Sequence, residues 1–179
     1  MFDRLSRVIE IRAATPDDAD AICDAHVASW RKGYAHVFGD DILNADEFDA
    51  SRRAFWRAWR FDPGSKQSVA ELDGAVVGFC SYGPERPRPT PIGIRGEVWA
   101  LYLHPDAWGS GAAAALMEHA EDRLLRDGFP EAVLWVLEDN PRGRAFYEKM
   151  GWAPTGRSTV FDRYADVPVP EVEYRKRLA

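Results

Sequence analysis

Two short stretches of this 179-residue chain carry residue types that could do chemistry. The first runs Leu101-Tyr102-Leu103-His104-Pro105 and then, after three residues, Gly109-Ser110-Gly111-Ala112-Ala113. It reads as an apolar strand leading into a glycine-bearing turn that opens a helix. Such a turn offers unpaired backbone N–H groups and the positive helix end to an anion. Gly109 and Gly111 remove side chains that would hold a phosphate away. The small residues Ala112, Ala113, Ala114 and Ala115 let a bulky ligand lie against the helix start. No Lys-Ser/Thr follows Gly111, so this is not a Walker loop, and Ala114 departs from GxGxxG. On spacing alone two readings stay open: a pyrophosphate cradle, or a tight turn before a close-packed Ala-rich helix.

The second stretch is Asn140-Pro-Arg-Gly-Arg144-Ala-Phe146-Tyr147-Glu-Lys-Met150-Gly151-Trp152. Asn140 suits the N-cap of a helix. Phe146 and Met150 share its core face, and Tyr147 sits one residue round, where it can reach an edge or cleft. A phenol is an acid of pKa about 10. Taken alone, Asn140 reads equally well as a plain cap and Tyr147 as a core-edge aromatic.

The elements that must position these residues follow from periodicity. Residues 7–13 alternate as a first strand. Thr15-Pro16-Asp17-Asp18 starts a helix that should carry Ala19, Ile22, His26 and Val27 inward and end near Trp30. Residues 45–61 repeat Phe48, Phe55, Trp56 and Trp59 at helical spacing. Residues 62–65 form a loop. Residues 68–72 and 75–82 flank Asp73-Gly74, a two-residue hairpin signal. Residues 83–96 hold four prolines (Pro84, Pro87, Pro89, Pro91) and read as a long loop. A strand at 97–103, a helix at 109–127 closed by Gly128, a strand at 132–137 and a helix from Asn140 to Met150 come next. The end alternates again through Val167, Val169, Val172 and Tyr174. The order β-α-α-β-β-β-α-β-α-β-β predicts a mixed-sheet α/β fold in one domain spanning 1–179.

Composition narrows the function classes. The chain is 46% hydrophobic and 29% charged, enough for a core and a solvated surface. Its net charge is −6. An acidic chain is a poor non-specific nucleic-acid binder, so no nucleic-acid partner is expected. No apolar run approaches the roughly 20 residues of a spanning helix, and the first residues lack a signal-peptide core. No membrane association is expected, and a cytoplasmic location is. Cys23 and Cys80 lack metal-ligand spacing and read as buried reduced thiols. No His/Cys/Asp cluster suggests a metal.

Together, "LYLHPDAWGSGAAAALM" and "LWVLEDNPRGRAFYEKMGW" resemble the GNAT N-acetyltransferase superfamily. The second stretch, Asn followed by Ala-Phe-Tyr-Glu-Lys-x-Gly-aromatic, is the more specific. The resemblance covers the C-terminal half closely and the opening half in outline. It implies a mixed, mostly antiparallel central sheet flanked by helices, and acetyl-CoA-dependent acetylation of a primary amine. The family's acyl-CoA turn, Gln/Arg-x-x-Gly-x-Gly/Ala, becomes Trp108-Gly109-Ser110-Gly111-Ala112-Ala113. Trp108 replaces the usual polar side chain near the pyrophosphate.

By the same resemblance, the backbone of Leu101, Tyr102 and Leu103 would pair with the pantetheine arm, and the Leu103 N–H would donate to the thioester oxygen. Residues Trp108 to Ala114 would cradle the pyrophosphate. Tyr147 falls on the general-acid position and Asn140 on a pantetheine or water contact. Arg144 could reach a CoA phosphate. Glu97 falls where many members carry a Glu that relays a proton through water, against a plain reading as an exposed strand-edge charge. His104, beside the acyl site, is a second candidate base or a simple loop histidine. His26, His36 and His119 show no partners in sequence.

The acceptor pocket should draw on Trp30, Tyr34 and Trp99, with Trp56 and Trp59 as further aromatic surface. Asp40, Asp41, Asp46 and Asp49 could attract a cation, or form a solvated face like Arg52, Arg53, Arg57 and Arg60. The expected acceptor is a small-molecule amine. A protein Lys or N-terminus and a non-catalytic acyl-CoA sensor are the alternatives. Exposed sheet edges leave a homodimer open.

Overall fold

The computed structural model describes residues 8–59, 66–86, 94–161 and 168–179. The expected mixed sheet flanked by helices is what forms. Strand β1 (Ile9–Ala13) is followed by a single 3-10 turn, Pro16–Asp18. Asp18 accepts from the Thr15 backbone N–H at 2.7 Å and pairs with Arg12 at 2.8 Å, locking strand to turn. Helix α1 (Ala19–Phe38) then runs eight residues beyond the expected end at Trp30. Tyr34 and Phe38 continue the apolar stripe from Trp30 at i+4 and i+8, with rings 5.2 and 5.4 Å from it. That packing outweighs the weak helix propensity of Gly33. A short α2 (Asp40–Leu43) leads to α3 (Asp46–Ala58).

Asp73 and Gly74 turn the chain with φ of 53° and 83° between β2 (Lys66–Leu72) and β3 (Ala75–Pro84). Strand β4 (Gly96–Leu103), helix α4 (Ala112–Arg126) and strand β5 (Glu131–Leu137) follow. Helix α5 (Pro141–Lys149) and strands β6 (Ala153–Phe161) and β7 (Val169–Arg177) complete the chain. Both β3 and β4 thus extend into the segment expected to be loop. Val169 and Val172 lie on opposite faces of β7, because strand faces alternate every residue. The segments at 62–65 and 87–93, with Arg7, Arg60 and Val167, lie outside the described residues.

The sheet order is β1-β2-β3-β4-β5-β7-β6. Neighbours are antiparallel except β4 and β5, which run parallel. That parallel ladder joins only residues 96–98 to 132–134. Beyond it the two strands part. A bulge marks the place: Ser81 faces Ala100 and Tyr82 faces Val98, leaving Trp99 as the extra residue on β4. A bulge adds local twist and bends its strand.

One face of the sheet packs on α4 through Val98, Leu116, Met117, Leu124, Leu134 and Tyr174. The other packs on α1 and α3 through Ile22, Trp30, Phe38, Trp56 and Phe79. Arg53 ties the two helices by ion pairs to Asp20, Asp24 and Asp49, and Arg57 adds Asp20. Arg52 does not belong to a solvated face. It lies over the Trp30 and Phe48 rings at 5.6 and 5.4 Å, and desolvation lowers its pKa to about 10. Cys23 and Cys80 are buried free thiols, as expected.

Candidate active site

The parting of β4 and β5 opens a cavity of about 620 Å³. Residues 98–103 form one wall, and residues 135–137 with α5 form the other. The turn before α4 closes one end, and Trp30, Tyr34 and Phe161 stand at the other. Because the ladder stops at Val98 and Leu134, the β4 edge past that point has no β5 partner for its N–H and C=O groups.

The turn reaches φ of 81° at Gly109 and 97° at Gly111. L side chains disfavour that region, which explains both glycines. A Cβ at Gly109 would project into open space, so the backbone is accessible there. Gly109, Gly111, Ala113 and Ala114 line the cavity. Ser110 and Ala112 do not. The Ser110 hydroxyl accepts from the Ala112 N–H at 3.2 Å, and Ala112 is buried in the α4 core. Helix α4 has no acid in its first turn. An anion is the complement of this end.

Tyr147 lines the cavity, and burial pushes its phenol pKa up. It therefore stays protonated at neutral pH, and its hydroxyl has no hydrogen-bond partner among the described residues. Asn140 holds two elements at once. Its Oδ1 caps α5 by accepting from the Gly143 N–H at 2.9 Å, and its Nδ2 donates to the Tyr34 hydroxyl at 3.1 Å. Both roles follow from an amide having one acceptor and two donors. Trp30, Tyr34 and Trp99 all border the cavity, with Leu101, Tyr102, Leu103 and Trp108. The Trp99 Nε1–H is buried without a partner among the described residues, and Arg86 lies 5.5 Å from its ring.

Two expected residues stand elsewhere. The Glu97 side chain is fully buried and does not line the cavity. Both its carboxylate oxygens accept from Arg86: the guanidinium at 2.7 Å and the backbone N–H at 2.8 Å. It is not an exposed strand-edge charge. Arg144 also turns away from the cavity. It donates to the Tyr174 hydroxyl at 3.1 Å and to the Glu138 carbonyl at 3.2 Å.

His104 takes the loop-histidine reading, while His26 and His36 have partners that the sequence did not show. His104 lies outside the cavity beside Asp106. His36 borders it and contacts the Asp139 carbonyl at 3.1 Å. His26 is buried, accepts from the Trp56 Nε1–H at 3.0 Å and stacks on Tyr102 at 4.8 Å. Sequence reasoning missed Glu171 and Arg142. Glu171 is the one carboxylate lining the cavity among the described residues, and Arg142 sits on its rim. No local pattern singles out Glu171, since its neighbours alternate simply as a strand.

Residues 21–152 match the model of the Acetyltransferase (GNAT) family. The chain belongs to that family. It is 33% identical over 135 residues to the uncharacterized N-acetyltransferase YuaI of Bacillus subtilis, covering 75% of each chain. It is 30% identical over 152 residues to the mycothiol acetyltransferase of Streptomyces coelicolor, covering 83% of this chain and 44% of that one. Its fold matches the PaiA N-acetyltransferase of Thermoplasma acidophilum, solved in complex with coenzyme A, with a TM-score of 0.69. That likeness covers 95% of this chain and 99% of the other, at 20% identity. As a GNAT member the chain is an N-acetyltransferase, an acyl-transferring enzyme. Among the described residues no helix is long and apolar enough to cross a membrane.

Proposed function

We propose that this GNAT enzyme transfers the acetyl group of acetyl-CoA to the primary amine of a small molecule. The cavity at the β4–β5 split carries the reading, because it joins an anion-accepting turn, an unpaired strand edge, a free phenol and an aromatic chamber. Two GNAT-fold proteins solved with coenzyme A and with acetyl-CoA, the latter yncA of Salmonella typhimurium, support the donor. The accessible backbone at Gly109 and the acid-free start of α4 fit a pyrophosphate.

Acetyl-CoA supplies the thioester carbonyl that the amine attacks. The β4 edge at residues 101–103 orients the pantetheine arm by strand-like pairing, and the Leu103 N–H or a near neighbour stabilises the oxyanion. Tyr147 donates its proton to the departing thiolate, and its burial keeps that proton in place until it is needed. Glu171 receives the incoming ammonium group and accepts one proton from it; the second, shed by the nitrogen once the C–N bond has formed, restores the Tyr147 phenol. This replaces Glu97, whose carboxylate Arg86 already holds. Trp30, Tyr34 and Trp99 surround the amine's apolar body. Aromatic faces lining the cavity suit the apolar body of a small acceptor and a cation held over a ring.

A thermal-stability titration with acetyl-CoA tests the donor. At about 100 times its dissociation constant the ligand should add about 2.7 kcal/mol. Thiol release is then followed with a panel of aromatic and aliphatic amines and with Lys-containing peptides. Turnover of peptides alone would overturn the small-acceptor reading. Binding without thiol release for any amine would overturn catalysis through this cavity.

A further inference from the structure

The position of Trp108 raises a question of charge. If the proposed donor binds here, its phosphates meet a turn that lacks the polar side chain usual at this place. The neighbouring helix supplies one. Arg142, the second residue of α5, lies on the cavity rim with its guanidinium carbon 3.3 Å from the centre of the Trp108 ring. Trp108 is itself anchored, since its Nε1–H donates to the Leu103 carbonyl at 3.1 Å. A chain of contacts thus runs from the end of β4 through the indole to the guanidinium.

Arg142 has no carboxylate partner among the described residues. Its pKa is lowered by desolvation alone, with no acid raising it. Its position is also unfavourable in the free protein, because a cation in the first helical turn opposes the helix dipole. Helices α1, α2 and α3 each carry acids in their first turn. The first turns of α4 and α5 carry none. The two helix starts that border the cavity are therefore the two with no acid in their first turn, and Arg142 adds a full positive charge at one of them. A guanidinium held over an indole face can still turn its N–H groups to phosphate oxygens for bidentate contact.

We propose that Arg142 is a phosphate ligand of the CoA donor, held in place by Trp108, so that a stacked pair does what a single polar side chain at position 108 does elsewhere in the family. Arg142 is the binding residue, and Trp108 is a positioning residue. The proposal rests on the acetyl-CoA reading above.

Isothermal titration calorimetry of the full chain with acetyl-CoA tests it, over a range of salt concentrations. Arg142→Ala should weaken binding about tenfold or more, the loss expected for one charge-assisted contact. It should also flatten the salt dependence of binding and leave the melting temperature of the free protein unchanged or raised. Arg142→Lys keeps the charge without the planar fork and should fall between wild type and Ala. Trp108→Ala should lose a comparable factor, and the double variant little more than Arg142→Ala alone. Trp108→Gln should recover part of the loss. Unchanged affinity and salt slope in Arg142→Ala would overturn the proposal, even if Trp108→Ala fails to fold. Wild-type protein that ignores acetyl-CoA would overturn the donor reading and this assignment together, a result distinct from a loss confined to the variants.

Discussion

Acidification should weaken the fold, chiefly through His26. It is only 8% exposed and packs against Trp30, Trp56, Phe79 and Tyr102. Desolvation, with a smaller push from the Arg52 charge, lowers its pKa to about 3. In the unfolded chain the value is about 6.5. The native state thus holds His26 neutral while the unfolded state takes up a proton. Stability is intact above pH 6.5 and falls as the pH drops from 6.5 towards 3. At pH 5 the loss is about 2 kcal/mol, from 1.36 kcal/mol for each of about 1.5 pH units. For a chain of this size that lowers the melting temperature by about 4–8 °C.

Differential scanning calorimetry of wild type and His26→Gln between pH 7 and pH 4.5 measures it. Gln can still accept from the Trp56 indole, so the variant should start less stable yet fall less steeply. His119, whose pKa is also lowered by desolvation, contributes with the same sign in this window. A His119→Gln control separates the two. The carboxylate of Asp18, lowered to about 2 by Arg12, loses its contribution only below its ordinary range and does not enter. Parallel pH curves for wild type and His26→Gln would refute the assignment.

Three further outcomes are expected. Tyr147→Phe should lower turnover about 10²-fold or more while acetyl-CoA affinity is kept, measured by thiol release and calorimetry, as for loss of a general acid; equal turnover would remove that role. Gly78→Ala should cost about 1–3 kcal/mol in thermal unfolding. A Cβ there would lie 2.6 Å from the Tyr102 carbonyl oxygen, on the backbone of the cavity wall. Glu97→Gln should destabilise the protein, because Arg86 loses its anionic partner, yet leave the pH profile of turnover in place; a shifted profile would return the base role to Glu97.

Local order was legible in the sequence. The strand, turn and helix from residues 96 to 126 follow from an apolar run, two glycines and a periodic stripe. Asn140 caps α5 because its amide needs only the N–H three residues on. Such features depend on neighbours in the chain, where spacing fixes geometry. Partner choice among charges was not legible. Glu97 belongs to Arg86 and Arg144 to the Tyr174 hydroxyl, each decided by which strand or helix lies across from it. The extension of α1 to Phe38 likewise depends on rings brought from α3 and β6.

The cavity itself is the clearest case. Sequence patterns supplied β4, β5 and α5 but not the angle between them. Only the assembled sheet, with its short parallel ladder and the bulge at Trp99, parts the strands. That parting puts Tyr147, Glu171 and the Trp108–Arg142 stack around one space. These residues are far apart along the chain, and a side chain's reach of a few ångströms has meaning only after the backbone has folded.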